Sequence, residues 1–150
     1  MNGMGEGSFA PGENLSRAMM WTMLARLDGA DTEGGENWYD KGLAWAKANG
    51  VSDGSAPNGS ITREQLVTML WRFEGEPKAD LKVLDGYADA DKLSDYARQA
   101  MAWAVSKGVI RGQGDDILAP GGQATRAEVA QIFYNYLAKL TAAGGKRDAL

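Results

Sequence analysis

The chain has 150 residues, 44% of them hydrophobic and 24% charged, which suits one domain with a single core. Its net charge of −4 and pI near 4.8 argue against a general nucleic-acid or anionic-membrane surface, because those need a basic field. With no Cys and no His it has no disulfide, no thiolate metal site and no Ser-His or Cys-His catalysis, and no apolar run approaches the roughly 20 residues of a membrane span.

The first fifteen residues read as a loop, with Gly at alternate places where positive φ is cheap. They align without gaps on the stretch that begins at Ile110: Gly3, Gly5, Phe9 and Pro11 match Gly112, Gly114, Leu118 and Pro120. A helix is predicted from about Ser16 to Asp28, on the stripe Met20, Met23, Leu24 and Leu27, with Gly29 as its terminator. A second helix is expected over 37–49, with Trp38, Leu43, Trp45 and Ala46 apolar and Gly50 closing it. The third runs from Thr62 to about Glu74 and stops at Gly75 and Pro77. A long connection containing Tyr87 and Asp89 leads to a fourth helix over 94–107, and a fifth spans 125–142 with Val129, Ile132, Phe133 and Tyr136 inward. No sheet of any size is expected, and residues 143–150 read as a frayed tail.

Two periodicities organise these elements. The chain reads Ala-Pro, four variable residues, Ser/Thr-Arg and an apolar helix three times, at Ala10, Ala56 and Ala119. Pro11 to Arg17, Pro57 to Arg63 and Pro120 to Arg126 are each six residues. The second and fourth helices are also copies: Trp103 follows Trp45, and Val109 follows Val51, by 58 residues. The unit is helix A, Gly-containing loop, Ser/Thr-Arg, helix B, and it divides the chain into a partial repeat at 1–29, repeats at 30–76 and 77–142, and the tail, all within one structural domain. The first helix A is missing. The apolar surface this leaves open calls for the rest of a larger surface protein, or for a second subunit, to cover it.

These residues carry a resemblance. Ala-Trp-Ala-x-x-x-Gly-Val, a Gly-rich loop, Pro, and Thr125-Arg126-Ala127-Glu128 before an apolar helix are similar to the S-layer homology (SLH) domain. Tyr87-x-Asp89 resembles the Phe-x-Asp element that opens such a repeat, and the resemblance covers nearly all of residues 3–140. It implies an all-α pseudo-trimer of helix-loop-helix repeats around a central three-helix bundle, with grooves between neighbouring prongs. It also implies a non-catalytic, extracellular anchor for the cell wall and S-layer. That anchor binds secondary cell wall polysaccharide at an acidic, pyruvylated sugar held by the motif Arg residues. No cofactor, metal, nucleic acid or membrane insertion is implied.

The motif residues have separable roles. Ser16, Thr62 and Thr125 stand at N-cap positions, and Gln65 and Glu128 complete capping boxes that Met19 does not. Capping does not need an Arg, and a first-turn cation faces the positive end of the helix dipole. Arg17, Arg63 and Arg126, beside free N–H groups and the cap residues Thr62 and Thr125, are therefore candidate carboxylate receptors; the alternative is that each Arg pairs with a neighbouring acid and ties prongs together. Trp45 and Trp103 are candidates for stacking on a sugar or for core packing, and Gly114 for lining a groove or for loop conformation. The acidic pairs Asp89/Asp91 and Asp115/Asp116 lack the alternation of a calcium loop and read as solvated carboxylates.

Overall fold

A computed structural model describes residues 15–110 and 117–142, and Gly114, Asp115, Asp116 and the 143–150 tail lie outside them. The described residues form five α-helices: α1 (Arg17–Leu27), α2 (Asp40–Ala48), α3 (Arg63–Phe73), α4 (Arg98–Ser106) and α5 (Arg126–Ala142). Short 3-10 turns at Leu81–Leu84, Ala90–Lys92 and Asp95–Ala97 fill the connection before α4. The fold is all-α, and its only sheet-like features among these residues are two isolated bridges, Ser16 with Ser60 and Thr62 with Gln123. No described helix is long and apolar enough to cross a membrane.

Each helix B starts where its cap lies. Ser16 Oγ accepts from Met19 N at 3.2 Å, Thr62 Oγ1 from Gln65 N at 3.3 Å and Thr125 Oγ1 from Glu128 N at 3.2 Å. Gln65 and Glu128 reach back to the Thr62 and Thr125 N–H groups, which completes two capping boxes. At the other end, the Ala30 N–H returns to the Ala25 carbonyl at 2.9 Å, a bond that requires Gly29 at φ 85°. The helices A begin later than expected, α2 at Asp40 and α4 at Arg98, so Trp38 and Tyr96 stand just before them.

Three backbone hydrogen bonds join the repeats in a closed ring. Leu15 N donates to Ala124 O at 2.9 Å, Ala124 N to Ile61 O at 3.0 Å, and Ile61 N to Leu15 O at 2.9 Å. All three residues immediately precede an N-cap, so α1, α3 and α5 converge at their N-terminal ends. Met20, Leu66 and Val129, each three residues after the motif Arg, are fully buried in one shared core. Side-by-side helix packing is between types: α2 lies along α1, and α4 along α3. Helix A of one repeat therefore covers helix B of the repeat before it.

That packing is close. A Cβ on Gly42 of α2 would meet Thr22 Oγ1 at 2.7 Å and Thr22 Cα at 3.1 Å. Thr22 Oγ1 is itself held, donating to Ala18 O at 2.9 Å. Gly42→Ala would ordinarily gain about 1 kcal/mol in a helix, but the clash outweighs it. We expect a net loss of about 1–2 kcal/mol, read as a thermal midpoint lower by roughly 2–6 °C.

Candidate functional site

The motif arginines all reach across to the next repeat. Arg17 Nε donates to Ser55 O at 2.8 Å and its Nη2 to Ser52 Oγ at 3.1 Å, with Asp53 Oδ1 3.5 Å away. Arg63 Nε donates to Leu118 O at 2.9 Å and its Nη1 to Glu128 Oε2 at 2.7 Å. Arg126 turns back to the first repeat, where its Nη2 meets Met19 Sδ at 3.4 Å. Arg63 is 3% exposed and Arg126 1%. The interprong pairing expected as the alternative role is thus present at Arg63 and, more loosely, at Arg17.

The N–H groups beside Arg63 are not free. Arg63 N donates to Gly122 O at 2.8 Å and Glu64 N to Pro120 O at 3.0 Å, just as Arg17 N and Ala18 N donate to Gly59 O and Pro57 O, both at 2.9 Å. Helix ends leave N–H groups to be satisfied, and here the neighbouring Pro-x-Gly turn satisfies them. Thr62 and Thr125 are engaged with their own helices. Of the motif groups at the Arg17 and Arg63 junctions, that leaves the guanidinium groups for a ligand.

Asp89, expected in solvent, clamps a loop instead: its two oxygens accept from Leu118 N and Ala119 N, each at 2.8 Å. Burial pushes its pKa up, but the two N–H groups outweigh this and hold it below the usual carboxylate range. The clamp fixes Ala119 at φ 51°, a left-handed conformation unusual for a residue with a side chain.

Two grooves lie between prongs at equivalent positions. One encloses about 310 Å³ and is lined by Arg17, Ser52, Asp53, Gln65, Thr68, Met69, Arg72 and Tyr96. The other encloses about 410 Å³, with walls that include Arg63, Ile110, Glu128, Gln131, Ile132, Tyr134 and Asn135. Gln65, Thr68, Met69 and Arg72 recur 63 residues later as Glu128, Gln131, Ile132 and Asn135. The first groove has two arginines against one carboxylate, and the second one against one.

Sequence reasoning missed Arg72 and Tyr96. Arg26, Arg72 and Asn135 each follow a motif Arg by nine residues, and Tyr96 follows Trp38 by 58 residues, so the repeat register held both signals. Tyr96 is 47% exposed, and its hydroxyl donates to the buried Glu64 Oε2 at 3.3 Å. Burial first, and then the Glu64 charge, raise its pKa, so it stays a neutral phenol. The two candidate tryptophans part company. Trp103 is 2% exposed, edge-on to Tyr136, and offers no face to a sugar. Trp45 is half-buried, 5.7 Å from Phe73 between ring centres, and its Nε1 donates to Asp28 at 3.1 Å. Neither lines the described grooves.

Comparison with known proteins adds the decisive observation: the S-layer homology domain family matches residues 86–130. Residues 86–130 carry an S-layer homology domain. The chain is 30% identical over 93% of its length to an amylopullulanase of Thermoanaerobacterium thermosulfurigenes, and equally to the exoglucanase XynX of Acetivibrio thermocellus. The surface-layer 125 kDa protein of Lysinibacillus sphaericus is 30% identical over 89% of the chain. The chain spans only 8%, 14% and 12% of those three proteins. It is a cell-wall anchoring module of the extracellular surface.

Two variants probe the electrostatics of the junctions. Met19→Glu would complete the Ser16 capping box and give Arg126 a carboxylate, which no described residue supplies. It should stabilise the chain by about 1–2 kcal/mol in a denaturant titration. In Glu128, burial raises the pKa, but the Thr125 N–H and the Arg63 charge lower it more, so it lies below the ordinary 4.5. Its contribution is present above that ordinary value and is lost as pH falls through the lower folded value. Glu128→Gln keeps the capping box, as Gln65 shows, but should flatten the loss of stability between about pH 5 and 3. An unchanged acid profile would refute the pairing.

Proposed function

We propose that the chain anchors a surface protein by binding an acidic wall polysaccharide, and that the Arg17–Arg72 groove is its main carboxylate site. The observation that carries this is the charge difference between the grooves. Arg63 is matched by Glu128 at 2.7 Å, so a ligand carboxylate there would have to displace a formed pair. In the first groove Gln65 replaces that glutamate, and the 76%-exposed Asp53 side chain answers two arginines at most once. A guanidinium can bind a carboxylate with two parallel N–H bonds. Arg17 and Arg72 supply the charge for a pyruvylated sugar, Ser52 and Gln65 supply hydroxyl and amide partners, and Tyr96 a face for the ring. The amylopullulanase and exoglucanase share only this small part of their length with the chain, which supports an anchoring rather than a catalytic role.

The test is sedimentation with purified wall sacculi. Arg72→Gln should weaken binding about tenfold, with the loss largest at low ionic strength, where charge pairs are least screened. Removing the pyruvate groups from sacculi should do the same to the wild-type chain. A Gln131→Ala change in the second groove should leave binding within about twofold. If binding survives the loss of both pyruvate and Arg72, the carboxylate assignment is wrong; if the wild-type chain does not sediment with sacculi at all, the motif arginines are clasps and the chain is a structural scaffold. The Arg63–Glu128 pair is the observation that favours that second reading.

A further inference from the structure

One register position sets α3 apart from the other two helices B. The residue after each motif Arg is Ala18, Glu64 or Ala127, so only α3 carries an acid there. Glu64 is 9% exposed. Its carboxylate accepts three hydrogen bonds from one short segment: Oε1 from Ser94 N at 3.0 Å, and Oε2 from Ser94 Oγ at 2.6 Å and from the Tyr96 hydroxyl at 3.3 Å. Its backbone is held as well. Glu64 N donates to Pro120 O at 3.0 Å, and Glu64 O accepts from Thr68 Oγ1 at 2.6 Å. Glu64 is a fixed post to which Ser94 and Tyr96 are tied.

The matching segment before α2 is built differently. Glu36 stands there in place of Ser94, Trp38 in place of Tyr96, and Ala18 in place of Glu64. That turn is held from its own helix: Asp40 Oδ2 accepts from Asn37 N at 2.9 Å and Oδ1 from Asn37 Nδ2 at 3.2 Å. Trp38 is 55% exposed and meets Tyr39 edge-on, with ring centres 5.5 Å apart. Three positions therefore change together. A second carboxylate at Ser94 would repel Glu64, and the Tyr96 phenol supplies the third donor. A turn before a helix A does not need this set, because the Asn37–Asp40 turn forms without it.

The set ends on the Arg17–Arg72 groove. Tyr96 is part of the groove wall, and the Arg17 charge acts on its phenol, whereas Glu64 is not in the wall. We infer that Glu64 is a positioning residue of this groove: through Ser94 and the Tyr96 hydroxyl it holds the Tyr96 ring in the wall beside Arg17, ready to pack on a sugar. The inference rests on the carboxylate reading of the groove given above. Tyr96 is 47% exposed, so the bond to Glu64 is what restrains its ring. A side chain already restrained has less freedom to lose when a ligand arrives, and preorganisation of this kind raises affinity without a new contact.

The test combines sedimentation on purified sacculi near neutral pH with an ultraviolet titration of the phenol, isolated by subtracting the spectrum of the matching Tyr96→Phe chain. The Glu64 charge raises the Tyr96 pKa, so Glu64→Ala should lower the midpoint toward the ordinary 10.0. It should also weaken binding about three- to tenfold. Alanine stands at this position in both other helices B, and far-UV circular dichroism checks folding. Tyr96→Phe removes one half-exposed hydroxyl and should weaken binding at least as much as Glu64→Ala. The double variant should lose less than the product of the two single losses, because they share the Glu64–Tyr96 bond. Glu64→Gln keeps an acceptor without the charge. It should lower the midpoint and yet recover most of the binding, which a merely structural role does not require. An unchanged midpoint in Glu64→Ala, or losses that multiply in full, overturns the inference. If Tyr96→Ala weakens binding while Tyr96→Phe and Glu64→Ala do not, the groove stands and the positioning role falls. If neither Tyr96→Ala nor Arg72→Gln weakens binding, both fall.

Discussion

The structure depends on three backbone hydrogen bonds that close on themselves. Leu15, Ile61 and Ala124 each donate to one neighbour and accept from the other at 2.9–3.0 Å. Buried backbone groups must be paired, and here the partner is always another repeat. The ring brings the starts of α1 and α3 against the Pro-x-Gly turn of the next repeat. That contact consumes the first-turn N–H groups, and the cap consumes another. Local capping and repeat assembly are therefore one constraint, because the starts of α1 and α3 are each completed half by their own Ser or Thr and half by a neighbour.

Within that shared frame the chain varies one position three ways. Three residues past each N-cap stand Met19, Gln65 and Glu128. Each side chain lies where the preceding Arg arrives, so the identity of this residue sets the charge of the junction. Glutamate neutralises Arg63. Glutamine leaves Arg17 to a mostly exposed aspartate, and methionine offers Arg126 a thioether in place of a carboxylate. An exposed ion pair contributes about 0–1 kcal/mol, whereas a buried guanidinium without a full set of partners is costly. Among the described residues, Arg126 Nε has no hydrogen-bond partner.

The helices were legible in the sequence because their signals are local. The i, i+3, i+4, i+7 stripes, the Ser/Thr caps and Gly29 are each defined within a turn or two, and the helix B boundaries fall within one residue of expectation. The direction of the arginines was not legible. A repeat register says that Arg17, Arg63 and Arg126 are equivalent, but not that each faces the following copy rather than its own. The same gap hid the occupied N–H groups, whose acceptors lie more than forty residues away at Gly59 and about sixty away at Gly122. Trp45 and Trp103 show the limit of equivalence: one register, one residue type, yet one is half-buried at the edge and the other lies in the core, where α4 also packs against the Leu81–Leu84 turn of the 77–97 connection.

The closed ring also fixes a count. In an open solenoid each repeat contacts only its neighbours, so repeats can be added or lost one at a time. Here the Leu15–Ala124 bond joins the first repeat to the third across more than a hundred residues. A fourth repeat has no place in a ring of three, and a pair cannot close one. Such modules should multiply in sets of three. Closing the ring also requires the loop entropy of nearly the whole chain to be overcome, so folding is expected to be a single concerted event rather than a stepwise accretion of repeats.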